Sequence, residues 1–115
     1  MTPLVQIARA IEHQDTHTLG DVAKAIIEGH AQHWRGRKSE IVTEIRSYPL
    51  AKICRIWLAG GDMDELVNQM LPDVEAWAKA NGCSRMEVVG RKGWKRVLKD
   101  YREPYAVLTK ELRDE

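Results

Sequence analysis

KICRIWLAGGDMDELVNQMLPDVEAWAKANGCSRMEVV, residues 52–89, decides how this chain folds. Lys52 to Ala59 is nearly all apolar, as a strand buried on both faces would be. Gly60-Gly61 ends that run. Asp62 can then cap a helix on which Leu66, Met70, Val74, Trp77 and Ala78 recur at helical spacing. Pro72 lies inside the run and predicts either a kink or a second segment that begins with it. Asn81-Gly82 stops the helix, and Met86 to Val89 reads as a short strand. Strand, helix and strand in this order form a β-α-β crossover, whose two strands are parallel or splayed neighbours.

Upstream, Glu40 to Arg46 alternates Ile41, Thr43 and Ile45 against Val42, Glu44 and Arg46, the pattern of a half-buried strand. Ser47-Tyr48-Pro49 is a turn. So short a join between two strands predicts an antiparallel hairpin. Gln32-His33-Trp34 is a further short strand before the basic loop Arg35-Gly36-Arg37-Lys38. Two helices precede it. Leu4, Ile7, Ala8 and Ile11 mark the first, over Pro3 to His13. The second starts at Thr18, with Asp21 in capping-box position, carries Leu19, Val22, Ala23, Ile26 and Ile27 on one stripe, and stops at Gly29. Downstream, Lys92 to Tyr101 is a short helix with Trp94, Val97 and Leu98 inward. After Pro104, Tyr105 to Leu112 reads as a last strand.

The 115 residues fit a single domain, residues 1–115. Hydrophobic residues make up 43% and charged residues 30%, with a net charge of +1. That balance excludes a disordered chain and gives no global field toward DNA or a membrane surface. Apolar runs fall far short of a membrane span, and no basic segment followed by an apolar core opens the chain, so a cytoplasmic location is expected. Cys54 and Cys83 lack CxxC spacing and read as buried thiols rather than a disulfide or metal pair. His13, His17, His30 and His33 lack the spaced cysteine or carboxylate partners of a metal site, so no metal is expected.

The order of elements over residues 18–112, with Lys52–Ala59 and the run Trp77-Ala78-Lys79-Ala80-Asn81-Gly82-Cys83, resembles the GNAT superfamily of acyl-CoA N-acyltransferases. The second run matches that family's A-x-x-x-G-C join between the long helix and the next strand, and Arg85-Met86-Glu87-Val88-Val89-Gly90 continues it. The resemblance implies an α/β (α+β) fold: a mixed sheet with two N-terminal helices, a β-hairpin, the crossover, a short helix and a C-terminal strand. Arg91-Lys92-Gly93-Trp94-Lys95-Arg96-Val97-Leu98, together with Ser47-Tyr48-Pro49, is similar to small GNAT-like proteins encoded among the virion genes of tailed phages. That narrower likeness implies a virion-accessory role, in the host cytoplasm or the virion.

The family cradles the CoA pyrophosphate at the N-terminus of the long helix, with a Gln/Arg-x-x-Gly-x-Gly/Ala loop whose free N–H groups and helix dipole hold the anion. Here Leu58-Ala59-Gly60-Gly61-Asp62-Met63-Asp64-Glu65 stands at that place. Gly60 and Gly61 are the candidate cofactor-binding residues, but no Arg or Gln precedes them. Three carboxylates, Asp62, Asp64 and Glu65, sit where the anion would go. At ~5 Å each like-charged pair costs on the order of a few kcal/mol at an effective dielectric of about 20. The family's general acid, a Tyr on the short helix, corresponds to Leu98 or Arg96, and neither can protonate a thiolate. Tyr101 and Tyr105 are out of step. Glu44 and Glu87 are the carboxylates available as a base. No catalytic residue and no cofactor are therefore assigned, with acetyl-CoA as the alternative.

Two basic clusters remain, Arg35, Arg37 and Lys38, and Arg91, Lys92, Lys95, Arg96 and Lys99. Trp34 and Trp94 lie beside them, while Trp57 and Trp77 fit core positions. Tryptophan beside arginine is the composition of interface anchors. The expectation is a non-catalytic domain that docks to a protein partner, or to itself, through Trp94, Arg91, Lys95 and Arg96, with Trp34 and Arg37. The alternatives are an N-acetyltransferase with a divergent loop, and a small nucleic-acid module using charge and stacking.

Overall fold

The structure, a computed structural model, describes residues 16–90 and 93–112. The helix expected over Pro3 to His13 lies outside the described residues, as does Arg91. The first described helix, α1, spans Leu19–Ile27. Thr18 Oγ1 accepts from the Asp21 amide at 3.1 Å, and Asp21 Oδ2 accepts from the Thr18 amide at 2.8 Å. These reciprocal bonds satisfy amides that the helix itself cannot reach. Gly29 ends the element with φ of 81°.

Four strands follow: β1 (Gln32–Arg35), β2 (Glu40–Tyr48), β3 (Ala51–Gly60) and β4 (Arg85–Val88). They form one sheet in the order β1-β2-β3-β4. The first two pairings are antiparallel and β3 pairs β4 in parallel. Between β3 and β4 the chain is helical, as a π segment over Glu65–Met70 that runs into α2 (Leu71–Ala80). Pro72 explains the change. It has no N–H to donate, and its ring would press on the carbonyl four residues back. The wider turn relieves that contact: the Leu71 amide reaches Leu66 O, five residues back. The proline starts a segment rather than bending one.

The sheet buries both faces. Ile41, Cys54 and Ile56 pack against Leu66, Met70, Val74 and Ala78 of the crossover helix and against Leu98. On the other face Val42, Trp57 and Leu58 pack against Val22 of α1 and Ala31. A bulge divides the two sets. Val42 pairs Leu58 while Thr43 pairs Ile56, so Trp57 is the extra residue. It shifts the alternation of β3 by one place and brings both Trp57 and Leu58 to the α1 side.

The mixed α/β architecture agrees with the expected fold class. One expected element does not form: Tyr105 to Leu112 makes no strand and is exposed throughout. Beyond Tyr101, whose amide bonds to Leu98 O, no backbone hydrogen bond joins this tail to another described residue. The short helix is also smaller than expected, a single turn α3 over Trp94–Val97. Leu98 follows it and is buried, Trp94 is half-buried, and Val97 is 36% exposed rather than inward.

Candidate functional site

The helix N-terminus after β3 is built by three carboxyl-bearing residues and two glycines. Gly61 has φ of 123°, a region that side chains avoid. The β1–β2 turn lies against it: a Cβ there would stand 2.5 Å from Lys38 O and 2.6 Å from Ser39 Cα. Ser39 Oγ accepts from the Asp62 amide at 2.9 Å and donates to Asp62 O at 3.3 Å. Asp62 Oδ1 accepts from the amides of Asp64 at 2.9 Å and Glu65 at 3.3 Å. The Leu66 amide bonds Asp62 O at 3.0 Å.

The three carboxylates do not share one role. Asp62 takes the first-turn amides. Asp64 accepts from Asn68 Nδ2 at 2.7 Å. Glu65 turns away to the β1–β2 turn, where its oxygens accept from the amides of Arg37 at 2.7 Å and Lys38 at 2.9 Å. The Ser39 hydroxyl, then these two amides, hold the Glu65 carboxyl below its ordinary value. Gly36 makes the approach feasible, since a Cβ on it would lie 2.7 Å from the Glu65 carboxyl and 2.8 Å from Met70 Sδ. The sequence reading found the acids but not this bond, because no spacing rule links position 65 to a turn 27 residues away.

The phenols nearby are committed to carboxylates. Tyr101 donates to Glu75 Oε2 at 2.6 Å, and burial first, then this bond, raises its pKa well above the usual range. Tyr105 donates to Glu87 Oε2 at 3.0 Å, which raises it as well. Leu98 is buried and Arg96 exposed. Glu44 and Glu87, the two base candidates, flank one arginine across β2, β3 and β4. Arg55 stands 3.6 Å from each, and Arg46 is 3.2 Å from Glu44.

The expected docking residues are dispersed. Trp34 is half-buried, donates to Thr43 Oγ1 at 3.0 Å and packs edge-on against Trp77 at 5.4 Å. Trp94 is half-buried against the crossover-helix core, touching Gly90. Lys95 and Arg96 are exposed beside it, with Lys95 at 3.9 Å from Glu103. Arg37 is exposed on the β1–β2 turn and lends its amide to Glu65. The thiols are free; Cys54 is buried, which pushes it up to about 11, and Cys83 is half-buried. The histidines part company: His33 pairs Glu40 at 3.0 Å, His30 lies 3.8 Å from Glu28, and His17 stands edge-on to Trp57 at 4.8 Å. Among the described residues no three His, Cys, Asp or Glu side chains gather as a metal would need, and no helix is long and apolar enough to cross a membrane.

A cavity of about 620 Å³ opens on the α1 side of the sheet. Trp57, Arg55, Glu44 and Arg46 line it from the strands, and His17, Asp21 and Ala25 from the α1 end. Sequence reading missed it, because the bulge at Trp57 has no signature in the residue pattern.

No family model matches the sequence, and no curated protein does either. Three solved structures match in shape. A single-substitution mutant of TTHA1254 from Thermus thermophilus is 14% identical with a TM-score of 0.67, over 97% of this chain and 92% of that one. The wild-type TTHA1254 structure is 15% identical with a TM-score of 0.63, over the same shares. A probable acetyltransferase is 14% identical with a TM-score of 0.63, over 95% of this chain and 89% of that one. At such identities the likeness is one of fold, and that fold is acetyltransferase-like.

Proposed function

We infer that this chain is a GNAT-like binding domain that has given up the acyl-CoA phosphate cradle. One observation carries the reading: the amides of Asp62, Asp64, Glu65 and Leu66, which open the crossover helix, are already bonded. Ser39 holds the Asp62 amide, and Asp62 holds those of Asp64 and Glu65. The β1–β2 turn also fills the space beside Gly61. A pyrophosphate seated there would have to displace a carboxylate from the positive end of the helix and would meet Asp62 and Asp64 in the same turn. The residues present do not fit that group.

Docking to a protein, or to a second copy, is the activity we propose. It would use Lys95 and Arg96 beside Trp94, with Arg91, and the Arg37 turn beside Trp34. The virion-accessory role is the specific form of this proposal, and it rests only on the resemblance of residues 91–98 together with Ser47-Tyr48-Pro49. A second reading is favoured by the structural neighbour described as a probable acetyltransferase: an N-acetyltransferase that binds acetyl-CoA near Gly60 and Gly61 by another mode.

Thermal melting with acetyl-CoA separates the two. A ligand at 100 times its dissociation constant adds about 2.7 kcal/mol to the folded state. The binding-domain reading expects no shift at millimolar acetyl-CoA. A saturable upward shift would overturn it in favour of the enzyme.

A further inference from the structure

On the opposite side of the sheet from the crossover helix, the cavity under α1 has a chemistry that the docking reading does not use. Its ionisable lining is two acids, Asp21 and Glu44, two arginines, Arg46 and Arg55, and two histidines, His17 and His30. With both histidines neutral these lining charges sum to zero, and Glu87 stands behind Arg55 outside the lining. A lone anion entering the cavity gains from the arginines and loses to the acids, and a lone cation does the reverse. A molecule that carries both poles gains on both sides.

Arg55 supplies the second observation. Its guanidinium lies between Glu44 and Glu87 at 3.6 Å from each, too far for a hydrogen bond. It donates none to any described residue, and its Nε is buried without a partner. That Nε faces Glu87 Oε1, so an acceptor arriving from the cavity would meet the terminal guanidinium nitrogens, which make no hydrogen bond to a described residue. Its side chain is 30% exposed and lines the cavity. Glu44 uses Oε1 for both arginines, and its Oε2 makes no hydrogen bond to a described residue. A donor and an acceptor thus stand close together on neighbouring strands, at paired positions of the register. Trp57, Ala25 and Val89 supply the apolar part of the lining.

We propose that this cavity binds a small ammonium–carboxylate zwitterion with an apolar body, of the class of a free apolar amino acid. The carboxylate meets Arg55 and Arg46, the ammonium meets Glu44 and Asp21, and the apolar body lies against Trp57 and Val89. This inference stands apart from the fate of the helix N-terminus, which faces the other side of the sheet.

The test is an NMR titration of the ¹⁵N-labelled full chain with L-tryptophan and L-leucine. Tryptamine and indole-3-propionate serve as compounds that keep one pole each. The expected result is saturable shifts of the Trp57 indole and of the Glu44 and Arg55 amides. Each single-pole compound should bind about tenfold more weakly or worse, a difference of about 1.4 kcal/mol. Arg55→Gln should weaken the zwitterion by a similar factor. Arg46→Gln, at an exposed position, gives a second variant whose fold is not at stake. Equal binding by tryptamine or indole-3-propionate overturns the proposal. So does the absence of saturable shifts up to about 10 mM of either amino acid, or arginine variants that bind as the parent does.

Discussion

Glu65 shows how one side chain can redirect a site. It sits in the first turn of a helix, where a carboxylate would ordinarily serve the helix's own amides. Here it bonds a turn from the far end of the hairpin instead. Because its folded pKa is depressed, the unfolded chain takes up the proton first as pH falls below its ordinary 4.5. Stability is fully present above that value and is lost as pH drops through the folded one. Asp21, lowered by the Thr18 amide and hydroxyl, adds a loss of the same sign below 3.8. Glu65→Gln should therefore lower the melting temperature at pH 7 and make its fall on acidification shallower. An acid limb as steep as the parent's would refute that account. Gly61→Ala tests the packing from the other side. A φ of 123° and a Cβ 2.5 Å from Lys38 O leave no room for a methyl group. The expected destabilisation is about 1–3 kcal/mol, read from urea unfolding.

Among the elements, the helix caps and the hairpin strand follow their residues, and the exceptions have identifiable causes. Thr18 and Asp21 form the box that their spacing predicts. Thr18→Ala should cost about 1 kcal/mol in chemical unfolding, with α1 the first described helix to fray in hydrogen exchange. The π segment before Pro72 follows from a missing donor, which the sequence announces, although it does not say whether the chain kinks or widens. The bulge at Trp57 was not legible. Lys52 to Ala59 is apolar at almost every position, so either phase of alternation fits it. The pairing with β2, where Val42 meets Leu58 and Thr43 meets Ile56, chooses the phase. That choice creates the cavity floor.

In the whole molecule, the sheet has β4 at one edge, and the segment expected to lie further on, Tyr105 to Leu112, remains outside it. Val107, Leu108 and Leu112 are 80–93% exposed. Residues suited to a strand, Tyr105, Val107 and Thr109, are present, but a strand forms only where backbone partners are met, and here Tyr105 is held by its hydroxyl on Glu87 instead. Hydrogen exchange should find the amides of residues 106–112 the least protected of the described chain, and those of β2 and β3 the most. Slow exchange in the tail would show that it pairs after all.

The sequence by itself determined the order of elements from α1 to the short helix, the hairpin, the parallel crossover and the acidic character of the helix start. Each of these depends on neighbours within a few residues: periodicity, caps, and the glycines and proline that end or begin a segment. Only the tertiary structure decided what the acids do, which face Trp57 takes, and that Arg55 stands between two carboxylates without a hydrogen bond. Those outcomes depend on strand register and on contacts between residues far apart in the chain, where a shift of one position exchanges the two faces of a sheet.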